Sequence, residues 1–546
     1  PDSHGDFYTI LLMKAFEHFK GVVSPQQQTR WRDSLGMIQT NKYNNAAPNW
    51  IGINLAGEFL RHKEGLTTLD WVNGRLNFQI TRMGLDGLYQ DTNTIETVNV
   101  TMAAGQSLAY DMVARAVLGV IAVGGFESSG SQAAELRLRL WRGAWTGLLY
   151  QSPLGEVPTG MRSSHHIWNE GYAAVYYEMW AAQYMRAGKP EIAGAFKRAA
   201  HLSLLEMRRW LRADGTAYVT KARYPASARW GYMTYSGLGN YNGWAMVSLA
   251  MAWEYADTTI AERRAPADIG GYVLPVIPGF KKVFASAGGT YVQYDLRGDQ
   301  SHNPTGLLRV HLKTSSPQLG PSDGAVGPAD QLQNAQYRPL YPSADPAGER
   351  NLSIGPGWLT TGTQRQVLAA LVQLPAVTTL EQNPDRAAFR VSYNIGQGST
   401  LHQTVTVEPS GVTVVDSVVD GTVNDLRIFY PMLVYDGIDS TQIQLSGNSV
   451  TLQLHGKGSR FRMVRPEAPL QRTGVVRNHR NGRAEAVFAD AGGRVAEYRI
   501  TAWPEYVSSV APSAARAPSA AGVARLRGGL LDVTARGAHR VELRDL

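Results

Sequence analysis

The 546-residue chain contains no cysteine. That excludes disulfides, thiolate nucleophiles and zinc centres built on sulfur, so any metal would need histidine and carboxylate ligands. It also lacks any run of eighteen or more uninterrupted apolar residues, which a membrane-spanning helix requires. The opening Pro1-Asp2-Ser3-His4-Gly5-Asp6 has neither the basic nor the apolar region of a leader, which fits a soluble protein, cytosolic or numbered after leader removal. Lys plus Arg exceed Asp plus Glu, 53 against 45, yet no tract of five or six basic residues occurs. The excess favours an anionic partner, and the scatter argues against a nucleic-acid arm. No Gly-rich phosphate loop between strand and helix, zinc module or basic helix is found.

With 44% hydrophobic residues the chain is globular, and its length calls for two domains. The first half has helical periodicity. Tyr8 to Lys20 places Ile10, Leu11, Ala15, Phe16 and Phe19 on one stripe, and Trp50 to His62 does the same with Ile53, Leu55, Phe59 and Leu60. Further helices are expected near 66–82, 105–124, 131–150, 168–187, 190–212 and 240–256. Tight Gly turns at Leu85-Asp86-Gly87-Leu88-Tyr89, Pro153-Leu154-Gly155-Glu156-Val157-Pro158 and Ala213-Asp214-Gly215-Thr216-Ala217-Tyr218 recur at the spacing of helical hairpins. The pattern is that of an incomplete (α/α) toroid of four to five hairpins over residues 1–258. A Pro/Gly-rich linker is expected over 259–279. Beyond it the period changes to two, as in Thr290-Tyr291-Val292-Gln293-Tyr294-Asp295 and Gly411-Val412-Thr413-Val414-Val415, which predicts an antiparallel β-sandwich over 280–546.

The most chemically loaded stretch is Gly160-Met161-Arg162-Ser163-Ser164-His165-His166-Ile167-Trp168-Asn169-Glu170-Gly171-Tyr172. Ser163 and Ser164 are expected to cap the following helix, placing the cluster on its first turn. The 13 Trp and 25 Tyr suit a cleft where flat rings stack on sugar faces, or an aromatic core.

Together these motifs resemble the uronate polysaccharide lyases and their relatives of the heparinase II/III and alginate-lyase type. The order is Asn49-Trp50 at a helix start, Gly87-Leu88-Tyr89, the His/Asn cluster, Arg229-Trp230-Gly231-Tyr232-Met233-Thr234-Tyr235-Ser236, then Asn240-Tyr241-Asn242 and a histidine early in the β-domain. The resemblance implies β-elimination beside a uronic acid: the enzyme neutralises the carboxylate, removes the C5 proton with a base and protonates the leaving oxygen. It makes His166 the base or carboxylate neutraliser and Asn169 a carboxylate contact, with His165 beside them. Tyr235 and Tyr241 compete for the general acid, and Tyr232 joins them because the family's His-to-Tyr spacing falls near Tyr224 and Tyr232. Arg162 or Arg229 would supply the charge that lowers a tyrosine from its usual value of about 10. His302 is preferred over His311 as the β-domain histidine, and Asn49 and Asn242 are expected on substrate.

The sequence departs from the alginate-lyase pattern, since His165-His166 with Asn169 replaces an Asn-His dipeptide. Glu170 with Asp91, Asp111 or Glu58 could instead furnish the two carboxylates of a glucuronidase-like hydrolase. A carbohydrate-binding scaffold without chemistry is the third reading. The expected partner is an anionic polysaccharide, with no nucleic acid and no membrane; homo-oligomerisation stays open. No cofactor is expected, a structural divalent metal in the β-domain stays open, and the resemblance implies a secreted or periplasmic bacterial protein.

Overall fold

The computed structural model describes residues 5–43, 47–128, 130–158, 160–233, 236–299, 302–321, 353–360, 365–504, 521–527 and 530–536. Ten helices are found among them: α1 (Gly5–Phe19), α2 (Pro25–Gly36), α3 (Pro48–Lys63), α4 (Asp70–Ile80), α5 (Leu108–Val123), α6 (Gln132–Tyr150), α7 (Trp168–Arg186), α8 (Pro190–Arg208), α9 (Leu238–Tyr255) and the single turn α10 (Pro266–Ile269). Helices α1, α3, α5, α7 and α9 pack one on the next as an inner row, and α2, α4, α6 and α8 lie against α1, α3, α5 and α7. This is a toroid of four hairpins plus one inner helix. Its ends meet through side chains: Phe7 is edge-on to Trp244 at 5.0 Å and Lys14 Nζ lies 2.7 Å from Glu254. No helix among the described residues is long and apolar enough to cross a membrane.

The recurring Gly turns do what their sequence implies. Gly87 has φ +76°, and a Cβ there would sit 2.0 Å from the Gly143 nitrogen; Gly155 has φ +89° and would meet Leu202 O at 1.9 Å. Only glycine tolerates both the backbone and the approach. Helix α2 was not expected, because Pro25-Gln26-Gln27-Gln28-Thr29-Arg30 offers no apolar stripe. It is set by Pro25 in its first turn and by Ser24, whose side chain accepts from the Gln27 amide at 3.2 Å.

The strands are β1 (Gly270–Val276), β2 (Lys282–Ala287), β3 (Thr290–Asp295), β4 (Gly306–His311), β5 (Gly355–Leu359), β6 (Arg365–Val367), β7 (Ala376–Asn383), β8 (Arg386–Asn394), β9 (Thr400–Glu408), β10 (Gly411–Val419), β11 (Asn424–Tyr435), β12 (Gln442–Ser446), β13 (Ser449–Leu454), β14 (Lys457–Arg465), β15 (Gln471–His479), β16 (Gly482–Asp490), β17 (Val495–Trp503), β18 (Ala521–Arg527) and β19 (Leu530–Arg536). They form antiparallel sheets in the orders β1-β2-β3-β4, β12-β13-β14-β17-β10-β9-β8-β7, β15-β16-β11-β5-β6 and β18-β19. The sheet begins inside the segment read as linker: 259–279 contains α10 and β1.

The four-stranded sheet is a middle layer, which is why β2, β3 and β4 are buried on both faces. Tyr272, Leu274, Phe284 and Tyr291 enter the helical core, while the alternate residues Val273, Val283, Ala285 and Val292 enter the core shared with the larger sheets. A period of two thus serves two cores, and it brings one end of this sheet against the 160–166 loop.

Candidate active site

The serines do not cap α7. That helix starts at Trp168 with Ile167 in its N-cap position and no side-chain cap. Ser163 Oγ instead meets Tyr110 Oη at 2.9 Å, and Ser164 accepts from Arg480 through its carbonyl at 3.2 Å. Arg162, His165 and His166 therefore stand on the preceding loop, and only Asn169 and Glu170 lie on the first turn. The loop carries positive φ at Met161, Ser163 and His165, a cost that its anchors offset. Ile167 N donates to Val219 O at 3.1 Å, Lys221 N to His165 O at 3.0 Å and Met161 N to Asn303 Oδ1 at 3.2 Å.

One wall emerges. The Arg162 guanidinium lies over the Tyr110 ring at 4.8 Å and reaches Asp91 at 3.1 Å; 44% of its side chain remains exposed. Tyr110 neighbours Trp168 at 6.2 Å, Trp168 neighbours Tyr241 at 6.4 Å, and Tyr241 stands edge-on to His166 at 5.2 Å. Within this wall, Trp168 Nε1, Asn169 Oδ1 and Tyr172 Oη are buried with no hydrogen-bond partner among the described residues, and the fully buried His166 ring has the Gly231 backbone as its polar neighbour. Unmet polar atoms are uncommon in folded proteins, and a cluster of them marks where a polar ligand or water belongs. Burial foremost, then the Arg480 charge, pushes His166 down to about 3, although the nearby Gly231 backbone favours the cation. The imidazole is neutral at neutral pH.

The other expected residues sort by their partners. Asn169 Nδ2 is held by Ser163 O at 3.0 Å, leaving its oxygen for the site. Asn49 donates to Asp91 through both its backbone and Nδ2, at 2.9 and 2.7 Å, so it positions Asp91, and through it Arg162. Asn242 has both amide atoms engaged: Oδ1 accepts from Ala217 N at 2.8 Å and Nδ2 donates to Leu238 O at 3.1 Å. Arg229, in the left-handed region, donates to Ser236 O at 2.6 Å and ties its own loop. Tyr232 is buried, and burial outweighs the charges of Arg229 and Arg212, so its hydroxyl is pushed up to about 12; the expected activation of this tyrosine by Arg229 is not found. His302 pairs with Asp299 at 2.6 Å, next to the Asn303 that holds Met161. Tyr235 lies outside the described residues.

The carboxylates proposed for hydrolysis are largely engaged elsewhere. Glu58 forms a buried pair with Arg61 at 2.8 Å, and Asp111 one with Arg115 at 2.5 Å. Glu170 accepts through Oε1 from Lys221 Nζ at 2.7 Å and from Val157 N at 3.1 Å, while its Oε2 is buried with no partner among the described residues. Lys221 also meets Glu156 at 3.1 Å and Glu206 at 3.6 Å, and Arg309 of β4 reaches Glu156 at 2.8 Å. Burial foremost, with the neighbouring Glu206 and Glu156, pushes Glu170 up to about 7 despite Lys221.

The sequence reading missed Tyr110, Lys221 and the β15–β16 turn. That turn supplies Arg480, and also Asn481, whose Nδ2 is 3.5 Å from His165 Nδ1. The polar run His479-Arg480-Asn481 between two strands was the available signal. For a metal, Asp436, Asp439 and His455 present ligand atoms within 4.8 Å of one another. Arg223 already occupies their centre, 3.0 Å from Asp439 and 3.6 Å from Asp436, so this group fits a guanidinium rather than a metal ion.

No family model and no curated protein matches the sequence. Among solved structures, the chain is similar to the heparan sulfate lyase HepC from Pedobacter heparinus, with 11% identity over 95% of this chain and 79% of that one and a TM-score of 0.38. It is also similar to a heparinase III, with 9% identity over 96% and 81% and a TM-score of 0.39. A family 88 glycosyl hydrolase from Bacteroides vulgatus matches 46% of this chain and 75% of its own, with 12% identity and a TM-score of 0.32. These neighbours are enzymes that act on polysaccharides or glycosides.

Proposed function

We propose that the protein is a polysaccharide lyase that cleaves a uronic-acid-containing anionic polysaccharide by β-elimination. The observation that carries this reading is the buried polar cluster of His166, Trp168, Asn169 and Tyr172, the last three with a polar atom unpartnered among the described residues, beside the exposed Arg162. Arg162 and the Asn169 side of the wall receive the uronate carboxylate, which lowers the cost of placing negative charge on C5. A neutral His166 takes the C5 proton; the bound carboxylate raises its affinity for that proton above the level of the empty site. The C5–H electrons form the C4–C5 double bond, the C4–O bond breaks, and Tyr241 protonates the departing oxygen. His302, on the turn that holds the 160–162 loop, closes the β-domain side.

The engagement of Glu58 and Asp111 in buried ion pairs disfavours a hydrolase built on them. Incubation with a panel of acidic polysaccharides tests the reading, because elimination creates a conjugated enoate absorbing near about 235 nm and hydrolysis does not. Reducing ends released without that absorbance would reject it.

A further inference from the structure

A depression of about 430 Å³, open to solvent, is lined by Arg209, Arg212, Arg223 and Tyr218, with Asp214 as its one carboxylate. Arg209 meets Glu206 through Nε at 3.0 Å, and Arg212 meets Asp214 through Nε at 3.7 Å. Neither makes a hydrogen bond through its terminal nitrogens to any described residue. Arg212 lies over the Tyr218 ring at 5.2 Å, which fixes the plane of its fork. A guanidinium held through Nε presents its two Nη groups to an oxyanion, and two such forks line the depression. The depression lies near the active-site wall along the chain: Tyr218 is two residues from Thr220, whose backbone bridges to His166.

We propose that this depression is a second anion-binding subsite, which takes a carboxylate or sulfate on a sugar unit away from the bond being cleaved. The subsite rests on the lyase reading for its polymer, but its own claim is binding. Arg209 and Arg212 grip the oxyanion, and the Tyr218 ring gives an apolar face to the sugar.

The test is equilibrium binding by calorimetry, with the His166→Ala full-length chain so that no turnover intervenes. The probes are two hexasaccharides of the same uronate backbone, one sulfated and one bearing carboxylates alone. The double variant Arg209→Gln/Arg212→Gln should bind at least one probe roughly tenfold more weakly and lose part of the salt dependence. Arg212→Lys, which keeps charge without the fork, should fall between. The probe that loses more identifies the anion. Both arginines are partly exposed, and circular dichroism verifies that the variants fold. Unchanged affinity for both probes, or no binding of either to the parent, overturns the subsite. If binding falls as expected while the wild type produces no enoate, the subsite stands and the elimination reading fails.

Discussion

Glu170 provides a quantitative check on the buried network behind the active-site loop. Its carboxyl lies between Lys221 and two other glutamates, and it is held up to about 7. In the unfolded chain it ionises near the ordinary glutamate value of about 4.3. Between about pH 4.5 and 7 the folded state therefore holds a proton that the unfolded state has lost, so this group's contribution to stability declines as pH rises. At about 1.4 kcal/mol per unit, the loss across the window is about 3 kcal/mol. His166 and His311, both pushed down to about 3, act in the opposite direction as pH rises from about 3 to 6.5. They obscure the effect in the wild type alone, so the readout is the difference between wild type and Glu170→Gln. The glutamine still accepts from Lys221 and Val157 but carries no titrating proton. Urea unfolding at a series of pH values should show the wild type losing about 3 kcal/mol relative to the variant between pH 4.5 and 7. A difference that is flat, or that moves the other way, refutes the assignment of a protonated Glu170.

Four further outcomes follow from the same geometry. Lys221→Met leaves Glu156, Glu170 and Glu206 without their shared cation and should cost about 3–5 kcal/mol, read as a lower denaturation midpoint. Tyr241→Phe and His166→Ala should each lower turnover on a confirmed substrate by roughly 100-fold or more. Tyr232→Phe should leave turnover near wild type, since that hydroxyl is buried and pushed up to about 12. Arg480→Met removes the cation that helps hold the imidazole neutral, so the His166 ring should titrate above about 3 in an NMR titration; an unmoved titration contradicts the placement of Arg480 behind it.

Local pattern was legible where one stretch of chain carried the whole signal. The inner helices announced themselves because α5 and α7 repeat apolar and small residues, and the hairpin turns because Gly87 and Gly155 stand where no Cβ fits. Loop 160–166 was identifiable from its density of polar groups. What stayed hidden depends on partners far away in sequence. Arg480 meets Ser164 across 316 positions and Arg309 meets Glu156 across 153; no periodicity reports such a pairing. Asn242 and one oxygen of Glu170 meet Ala217 and Lys221, partners that their position in the sequence does not announce. Helix α2 was missed because a proline and a serine cap, rather than an apolar stripe, define it.

The central claim is that the wall of His166, Trp168, Asn169 and Tyr172 performs elimination on a uronate. The most direct measurement is the absorbance near about 235 nm during incubation with acidic polysaccharides, run beside His166→Ala. Absorbance that rises with the wild type and not with the variant is the predicted result. Reducing ends that accumulate without that absorbance, or an equal rise with both proteins, contradict the account.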